Sequence, residues 1–430
     1  MKNQNLTRFA GTAALCLALG APGIASATEG YFALAYGPAQ RGVGGAGVAY
    51  SVDPMSAAIN PANIADIGHQ LTFGVEAFSP RRGFTATGAP PLPEGKVESG
   101  HEWFPIPNFG YNRPLANGGA LNVMVYGNGG MNTSYPAVVN PNCGEGGGYG
   151  IFCAGKAGVD LMQLFASVGY GRKDGNLSWG IAPTIAVQRF AARGLDMFDF
   201  QSDDPQQPGY TASGGKLTGN GYDFSTGIGL RAGIKYEINP QVTIGLSGQT
   251  RFKMSKFDKY AGLFEGNGSF DIPASVTAGV AFKPRSDLTV MLDYQKIFYS
   301  AIGAVGNPNT ALPFGASGGA GFGWDDVDVI RIGAEWQQSP DMTWRFGYAH
   351  ATNPIGPEDV VLGVLAPGVV EHHISFGGAK KLNDNDTLDF AVNYVLPHKV
   401  KGPSFLYPEG SEVELEMKQF SASIGWTRRF

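Results

Sequence analysis

The chain has 430 residues, and its 31 Lys and Arg against 36 Asp and Glu leave a formal net charge of −5. So mild an acidity, with only 16% charged residues, supplies no basic face for nucleic acid. After the N-terminal stretch no apolar run of about twenty residues occurs, which excludes a transmembrane helix and leaves a closed barrel as the only way to span a bilayer.

Taken in chain order, Lys2 and Arg8 precede the apolar stretch Phe9–Gly20, and Ala25-Ser26-Ala27 offers a small-residue cleavage site. This predicts a secretory signal over residues 1–27 and a mature chain beginning at Thr28. Cys16 lies inside the apolar region behind the bulky Leu15, a poor fit to lipoprotein processing. Residues 28–68 are too rich in Gly and Ala to read as a strand pair, and they are expected to form a small plug, or hatch.

From residue 69 to 430 the chain alternates between apolar and polar with a period of two. Leu388, Phe390, Val392 and Tyr394 oppose Asp389, Ala391 and Asn393; Leu288, Val290, Leu292 and Tyr294 oppose Thr289, Asp293 and Gln295; Ile330, Ile332 and Trp336 oppose Arg331, Glu335 and Gln337. Six short turn clusters punctuate these runs, at 113–118, 173–176, 239–240, 284–287, 339–341 and 383–386, each built from Pro, Gly, Asn or Asp. Seven long polar loops fall near 81–101, 128–159, 190–220, 253–272, 299–325, 352–368 and 397–416. Six short and seven long connections join fourteen strands, an even number that puts both chain ends on the short-turn side. The predicted fold is therefore all-β: a 14-stranded antiparallel transmembrane β-barrel with the plug in its lumen. A soluble sandwich also alternates; the loop asymmetry, the signal and the aromatic terminus favour the barrel. Trp179, Tyr236, Trp336, Trp344 and Trp426 fall near strand ends, where aromatic girdles sit.

The plug segment contains the Gly/Ala-rich run Gln40–Ala49, followed by Asp53–Ala65 with Asn60-Pro61-Ala62 inside it. Here the chain resembles the FadL family of outer-membrane transporters for hydrophobic compounds, whose hatch carries such a stretch ahead of an Asn-Pro-Ala motif. Segments 221–227 and 270–274 look like the hydrocarbon-uptake branch of that family. The resemblance implies passive uptake of long-chain fatty acids or aromatic hydrocarbons in the outer membrane of a Gram-negative bacterium. It implies loop capture, plug movement and lateral exit at an inward kink of the third strand. That strand, Leu121–Tyr126, runs into Gly127-Asn128-Gly129-Gly130, which makes Gly127, Gly129 and Gly130 the kink candidates. Asn60, beside the rigid Pro61, is expected to latch the plug to the wall near that glycine-rich end; the alternative is a turn cap in a static plug.

Two loops supply candidate substrate contacts. Leu195, Phe198 and Phe200 lie in one; Phe257, Tyr260, Leu263 and Phe264 in the other fall at helical spacing and predict an exposed apolar face. These residues either meet a ligand or pack the loops together. Strand parity points Arg231, Lys235 and Arg331 into the lumen, where a cation meets a substrate carboxylate or else pairs with another inward charge or with the plug, Glu335 sharing the face of Arg331. Cys143 and Cys153 share one loop and are either free thiols or, as an oxidising compartment favours, a disulfide stabilising the loop by about 2–3 kcal/mol.

Other motif matches carry no chemistry. Residues 42–47 fit G-x-G-x-x-G without the strand and helix that a dinucleotide site requires. Residues 315–319 fit a nucleophile elbow without its flanking elements. Adjacent His372 and His373 face opposite sides of a strand, so no shared metal is expected between them. No cofactor and no catalysis are expected. The expected partners are a hydrophobic small molecule, membrane lipid and lipopolysaccharide, and the barrel-assembly machinery, with the chain a monomer. A general water-filled porin is the alternative, and an outer-membrane hydrolase or adhesin comes third.

Overall fold

The computed structural model describes residues 29–202, 204 and 209–430; the signal sequence expected over 1–27 and the start of the mature chain lie outside the described residues. The barrel strands are β1 (Gln70–Thr87), β2 (Phe104–Pro114), β3 (Gly119–Asn132), β4 (Gly158–Asp174), β5 (Leu177–Arg193), β6 (Asp223–Asn239) and β7 (Val242–Gln249). They continue with β8 (Ser275–Arg285), β9 (Leu288–Ile297), β10 (Val327–Ser339), β11 (Met342–Ala351), β12 (His372–Lys381), β13 (Asp386–Gly402) and β14 (Glu412–Arg429). Each pairs antiparallel with its successor, and β14 returns to β1 in the register Gln70↔Arg429 to Thr87↔Glu412, closing the barrel.

All six short turns fall where the turn residues place them. Four of the seven long connections begin later than expected: β1 continues to Thr87, β3 to Asn132, β5 to Arg193 and β13 to Gly402, leaving 403–411 as a nine-residue loop. The two-sided hydrophobic pattern ends where the wall leaves the membrane, but the hydrogen-bond ladder does not. Lys399–Glu414 at 2.6 Å and Lys401–Glu412 at 3.0 Å link β13 to β14 across this solvated extension. Each such pair contributes little, but opposite charges facing across a ladder are compatible with it.

In the membrane zone the alternation holds. Ile332, Phe346, Ile374 and Val392 are exposed outward, while Arg331, Arg345, Ser375 and Asn393 are buried inward. At the short-turn end the indole N–H groups of Trp179, Trp336 and Trp426 donate to Asp174, Asp287 and Asp386, all in or beside the turns, at 3.1–3.3 Å. Indole rings held this way are oily on one side and polar-tipped on the other, as an interface requires.

Phe430 lies beyond the last pair. Its N–H donates to the His69 carbonyl at 3.1 Å and its ring sits 4.6 Å from the His69 ring, yet 62% of it is exposed. Ile424, Trp426 and Phe430 share the outward face, with Arg428 between them. So exposed an aromatic adds little to the stability of the folded barrel, and the terminal pattern carries instead the expectation of a role in assembly. Deleting Phe430 is expected to lower the amount of heat-modifiable barrel in the membrane, measured by unboiled gel electrophoresis at native expression. Unchanged levels would sink the idea.

The lumen is filled. The segment ahead of β1 occupies it as a helix Pro38–Gly42 and two 3-10 turns, Pro54–Ala58 and Pro61–Asp66. Asp53 caps the first turn, accepting from the Met55 N–H, with Ser56 completing a capping box; Asn60 caps the second, accepting from the Ala62 N–H. Above the plug the long loops fold inward and bury a continuous apolar cluster that includes Phe190, Phe198, Tyr260, Phe264, Tyr299 and Trp324. Cys143 and Cys153 form a disulfide, with Cα atoms 5.3 Å apart, and the loop it braces packs Phe152 edge-on against Phe198.

Candidate functional site: plug, wall opening and loop crevice

The wall changes at β3. Its pairing with β2 stops at Asn108↔Tyr126, whereas its pairing with β4 runs on through Gly127↔Leu164, skips Asn128 and resumes at Gly129↔Gln163. The bulge therefore sits at Asn128 itself, flanked by Gly127 and Gly129; the glycine run located it, but the extra residue is the asparagine. Beyond it β3 bends from β2, and Phe104–Pro107 pair with β1 alone. Pro105 and Pro107 bring no N–H to either neighbour, which suits an edge. This was the readable signal on the other lip of the opening, and the sequence reading missed it.

The plug occupies the space so created. The Gly130 N–H donates to the Tyr31 carbonyl at 3.0 Å, and the Ala33 N–H donates to the Asn128 carbonyl at 2.9 Å. The approach is so close that a Cβ on Gly129 would lie 1.8 Å from the Tyr31 carbonyl oxygen. Asn128 accepts from the Tyr36 hydroxyl at 3.0 Å and donates to Gln163 at 2.9 Å. A small, mainly apolar cleft lies beside the opening, lined by Phe78, Phe104, Met131, Trp324 and Met417 together with Arg82. Arg82 donates to the carbonyls of Pro80 and Asn132, tying β1 to the far end of β3.

Asn60 is fully buried and does bridge plug and wall, but at a place other than expected. Its Nδ2 donates to the Val48 carbonyl at 2.7 Å and to the Ile234 carbonyl of β6 at 3.1 Å, near the short-turn end rather than at the glycines of β3. Gly233 permits this, since a Cβ there would stand 2.1 Å from Asn60 Oδ1. Pro61 and Ala62 are buried and open the second turn, against Gly180 of β5. Lys235 completes the lower contact, pairing with Asp66 at 2.5 Å and donating to Ser51 at 2.8 Å.

The inward cations are committed to the plug and wall. Arg331 grips Glu29 through Nε at 3.1 Å and Nη2 at 2.5 Å, both side chains being buried, and also donates to Gln295. Its strand neighbour Glu335 instead pairs with Arg345 at 2.7 Å and accepts from the Tyr50 hydroxyl. Of the internal partners open to Arg331, the plug rather than the same-face Glu335 supplies the carboxylate. Arg231 donates to Tyr126 at 3.2 Å and to Gln249, beneath the Tyr36 ring. The glycine-rich run 42–47 ends on a carboxylate of the wall, the N–H groups of Gly47 and Val48 donating to Asp293 at 2.7 and 2.9 Å.

The loop residues come together above the plug. The helical face expected of Phe257, Tyr260, Leu263 and Phe264 is not a helix: a 3-10 turn spans Asp258–Tyr260, and Gly266 and Asn267 then take positive φ. Nor is it exposed. Phe257, Tyr260 and Phe264 are buried around Phe190, with ring centroids 4.7–5.6 Å from it. Tertiary packing of loop on loop overrode the local pattern. Leu195, Phe198, Leu263 and Phe264 line a narrow crevice, bordered also by Phe314, Phe322, Leu362 and Leu365. Among the described residues no charged side chain lines it. Phe200 lies outside it and is exposed. Loop residue Tyr299 carries the apolar layer to the plug: its hydroxyl accepts from the N–H groups of Tyr31 and Phe32 and donates to the Glu29 carbonyl at 2.6 Å. Burial lifts this phenol well above its ordinary range, so it stays a donor.

Barrels of the same overall fold are known. The toluene transporter TodX of Pseudomonas putida matches with a TM-score of 0.68 at 17% identity, over 92% of this chain and 99% of that one. The toluene transporter TbuX of Ralstonia pickettii matches at 0.65 and 20%, over 92% and 99%. A FadL homologue of Pseudomonas aeruginosa matches at 0.65 and 15%, over 93% and 100%. At these identities the likeness speaks for the fold alone. No curated protein sequence matches. A family model does: residues 25–405 match that of the outer membrane protein transport proteins OMPP1/FadL/TodX. The chain thus belongs to the OMPP1/FadL/TodX family of outer-membrane β-barrel transport proteins.

Proposed function

We propose that this barrel admits small, uncharged hydrophobic compounds passively, taking them into the loop crevice and releasing them sideways at the bend of β3 once the plug shifts. The observation that carries this reading is the opening between β2 and β3, stoppered by Tyr31 and Phe32 and bordered by an apolar cavity. A molecule that prefers hydrocarbon to water gains nothing from an aqueous lumen, whereas a gap in the wall leads it into the membrane. The uncharged crevice favours neutral hydrocarbons over fatty acids, because an unpaired carboxylate there would be costly to bury. Solved relatives described as toluene transporters point the same way. The water-filled porin is disfavoured by the residues that fill the lumen. The test is uptake of labelled toluene and labelled oleate by a deletion strain carrying this gene. Toluene uptake restored without oleate supports the reading, and oleate alone overturns the choice of substrate.

The plug shift makes its own prediction at Asn60. Replacing it with Ala removes the bonds to Val48 and Ile234 and leaves buried carbonyls without that partner, a cost of about 1–3 kcal/mol. That is enough to unsettle the plug and too little to unfold a barrel. Asn60→Ala is expected to insert normally, as judged by heat-modifiable mobility, and to change the rate of labelled-substrate uptake. A wild-type rate would favour a static turn cap.

A further inference from the structure

One cluster on the barrel has no part in the path described above. His350, the penultimate residue of β11, stands directly opposite His372, the first of β12, and the two rings are stacked with centroids 4.8 Å apart. Both share the outward parity of Tyr348 and Ile374, at the end of the wall where the long loops emerge, while His373 turns inward and is fully buried. Glu371 immediately precedes β12. One donor atom from each of His350, Glu371 and His372 lies within 4.8 Å of the other two.

We propose that His350, Glu371 and His372 form a transition-metal site on the outer rim of the barrel, with zinc the ion its donor set suits. Two imidazoles and one carboxylate are a borderline donor set, suited to Zn²⁺ and its neighbours rather than to Ca²⁺ or Mg²⁺, which take oxygen ligands. Two further observations support a ligand here. His350 Nδ1 is buried and has no hydrogen-bond partner, so a lone pair or N–H is left uncompensated. His372 Nδ1 lies 2.7 Å from the Tyr348 hydroxyl, the kind of outer contact that fixes a tautomer and frees the other ring nitrogen for a metal. Tetrahedral bonds of about 2.0–2.1 Å put donors roughly 3.4 Å apart, so small side-chain rotations would complete the geometry. His398 of β13, whose Nδ1 is 3.6 Å from Glu371, stands next to the cluster and is placed to support the carboxylate.

The position gives such an ion a structural consequence. The loop between β11 and β12 leaves the wall one residue after His350 and returns at Glu371, so the ion would join both feet of that loop. Its middle carries Leu362 and Leu365 into the crevice and Ala366 and Gly368 to the wall cavity. Clamping the feet would hold these residues in place.

The test uses the mature protein in detergent, without a polyhistidine tag, stripped with a chelator and titrated with Zn²⁺ against a chromophoric competitor. One equivalent of zinc per chain is expected, undisturbed by excess Mg²⁺. His350→Ala and His372→Ala should each weaken binding by about tenfold or more, and Tyr348→Phe should weaken it measurably. His69→Ala, at the opposite end of the barrel, should leave it unchanged. Heat-modifiable mobility of every variant establishes that the barrel is folded. Absence of stoichiometric zinc, or binding that survives the double variant His350→Ala/His372→Ala, overturns the proposal.

Discussion

Deleting Asn128 is expected to reduce substrate uptake to the level of a strain without the protein, while the barrel still inserts and folds. The residue is the surplus member of the β3–β4 ladder, since Gly127 and Gly129 face consecutive partners on β4. Its removal therefore leaves the pairing and facing of Gly129–Asn132 intact and takes away the bend. A straight β3 can continue alongside β2, closing the gap that Tyr31 and Phe32 now occupy. The deletion also strips partners from the Ala33 N–H, the Tyr36 hydroxyl and Gln163. Asn128→Ala separates the two effects, because it keeps the bulge and loses only the side-chain bonds; it should retain a substantial part of the uptake. Measured with labelled toluene, wild-type uptake by a folded Asn128 deletion would remove the lateral opening from the mechanism.

How much of this was legible depended on the range of the interaction involved. The turn clusters placed all six short connections because the dihedral preferences of Asn, Asp, Gly and Pro act within a few residues. Alternation fixed the facing of Ile332 and Arg331 for the same reason. Partners could not be read in this way. Arg331 had a same-face neighbour four residues away in Glu335, yet it pairs with Glu29, 302 residues distant, because the plug brings that carboxylate inside the barrel. Asn60 was recognisable as a latch from its chemistry, but its anchor on Ile234 lies 174 residues further along. The apolar spacing of Phe257, Tyr260 and Phe264 described which residues are buried without saying what buries them. Tight glycines such as Gly129 and Gly233 are exceptions only in hindsight: they mark close approach, but not of what.

Replacing Arg331 with Met is expected to open the protein to ions without destabilising its wall. The pair with Glu29 is buried on both sides, and removing one member of such a pair costs about 3–5 kcal/mol because the remaining charge is left uncompensated. The barrel's continuous ladder does not depend on this contact, so the cost falls on the segment carrying Glu29, which is also the segment that stoppers the β3 opening. Freed at that point, residues 29–36 keep the bonds to Asn128 and Tyr299 but lose the ion pair that holds their start against β10. In planar bilayers Arg331→Met should show more frequent or larger conductance steps than the wild type, with the thermal transition of the barrel little changed. The double variant Glu29→Gln/Arg331→Met leaves no unpaired charge at this contact and should move back toward wild-type behaviour, since replacing both members of a buried pair is far less costly than removing one. Additive effects of the two substitutions, or conductance in Arg331→Met equal to that of the wild type, would show that this ion pair does not hold the plug.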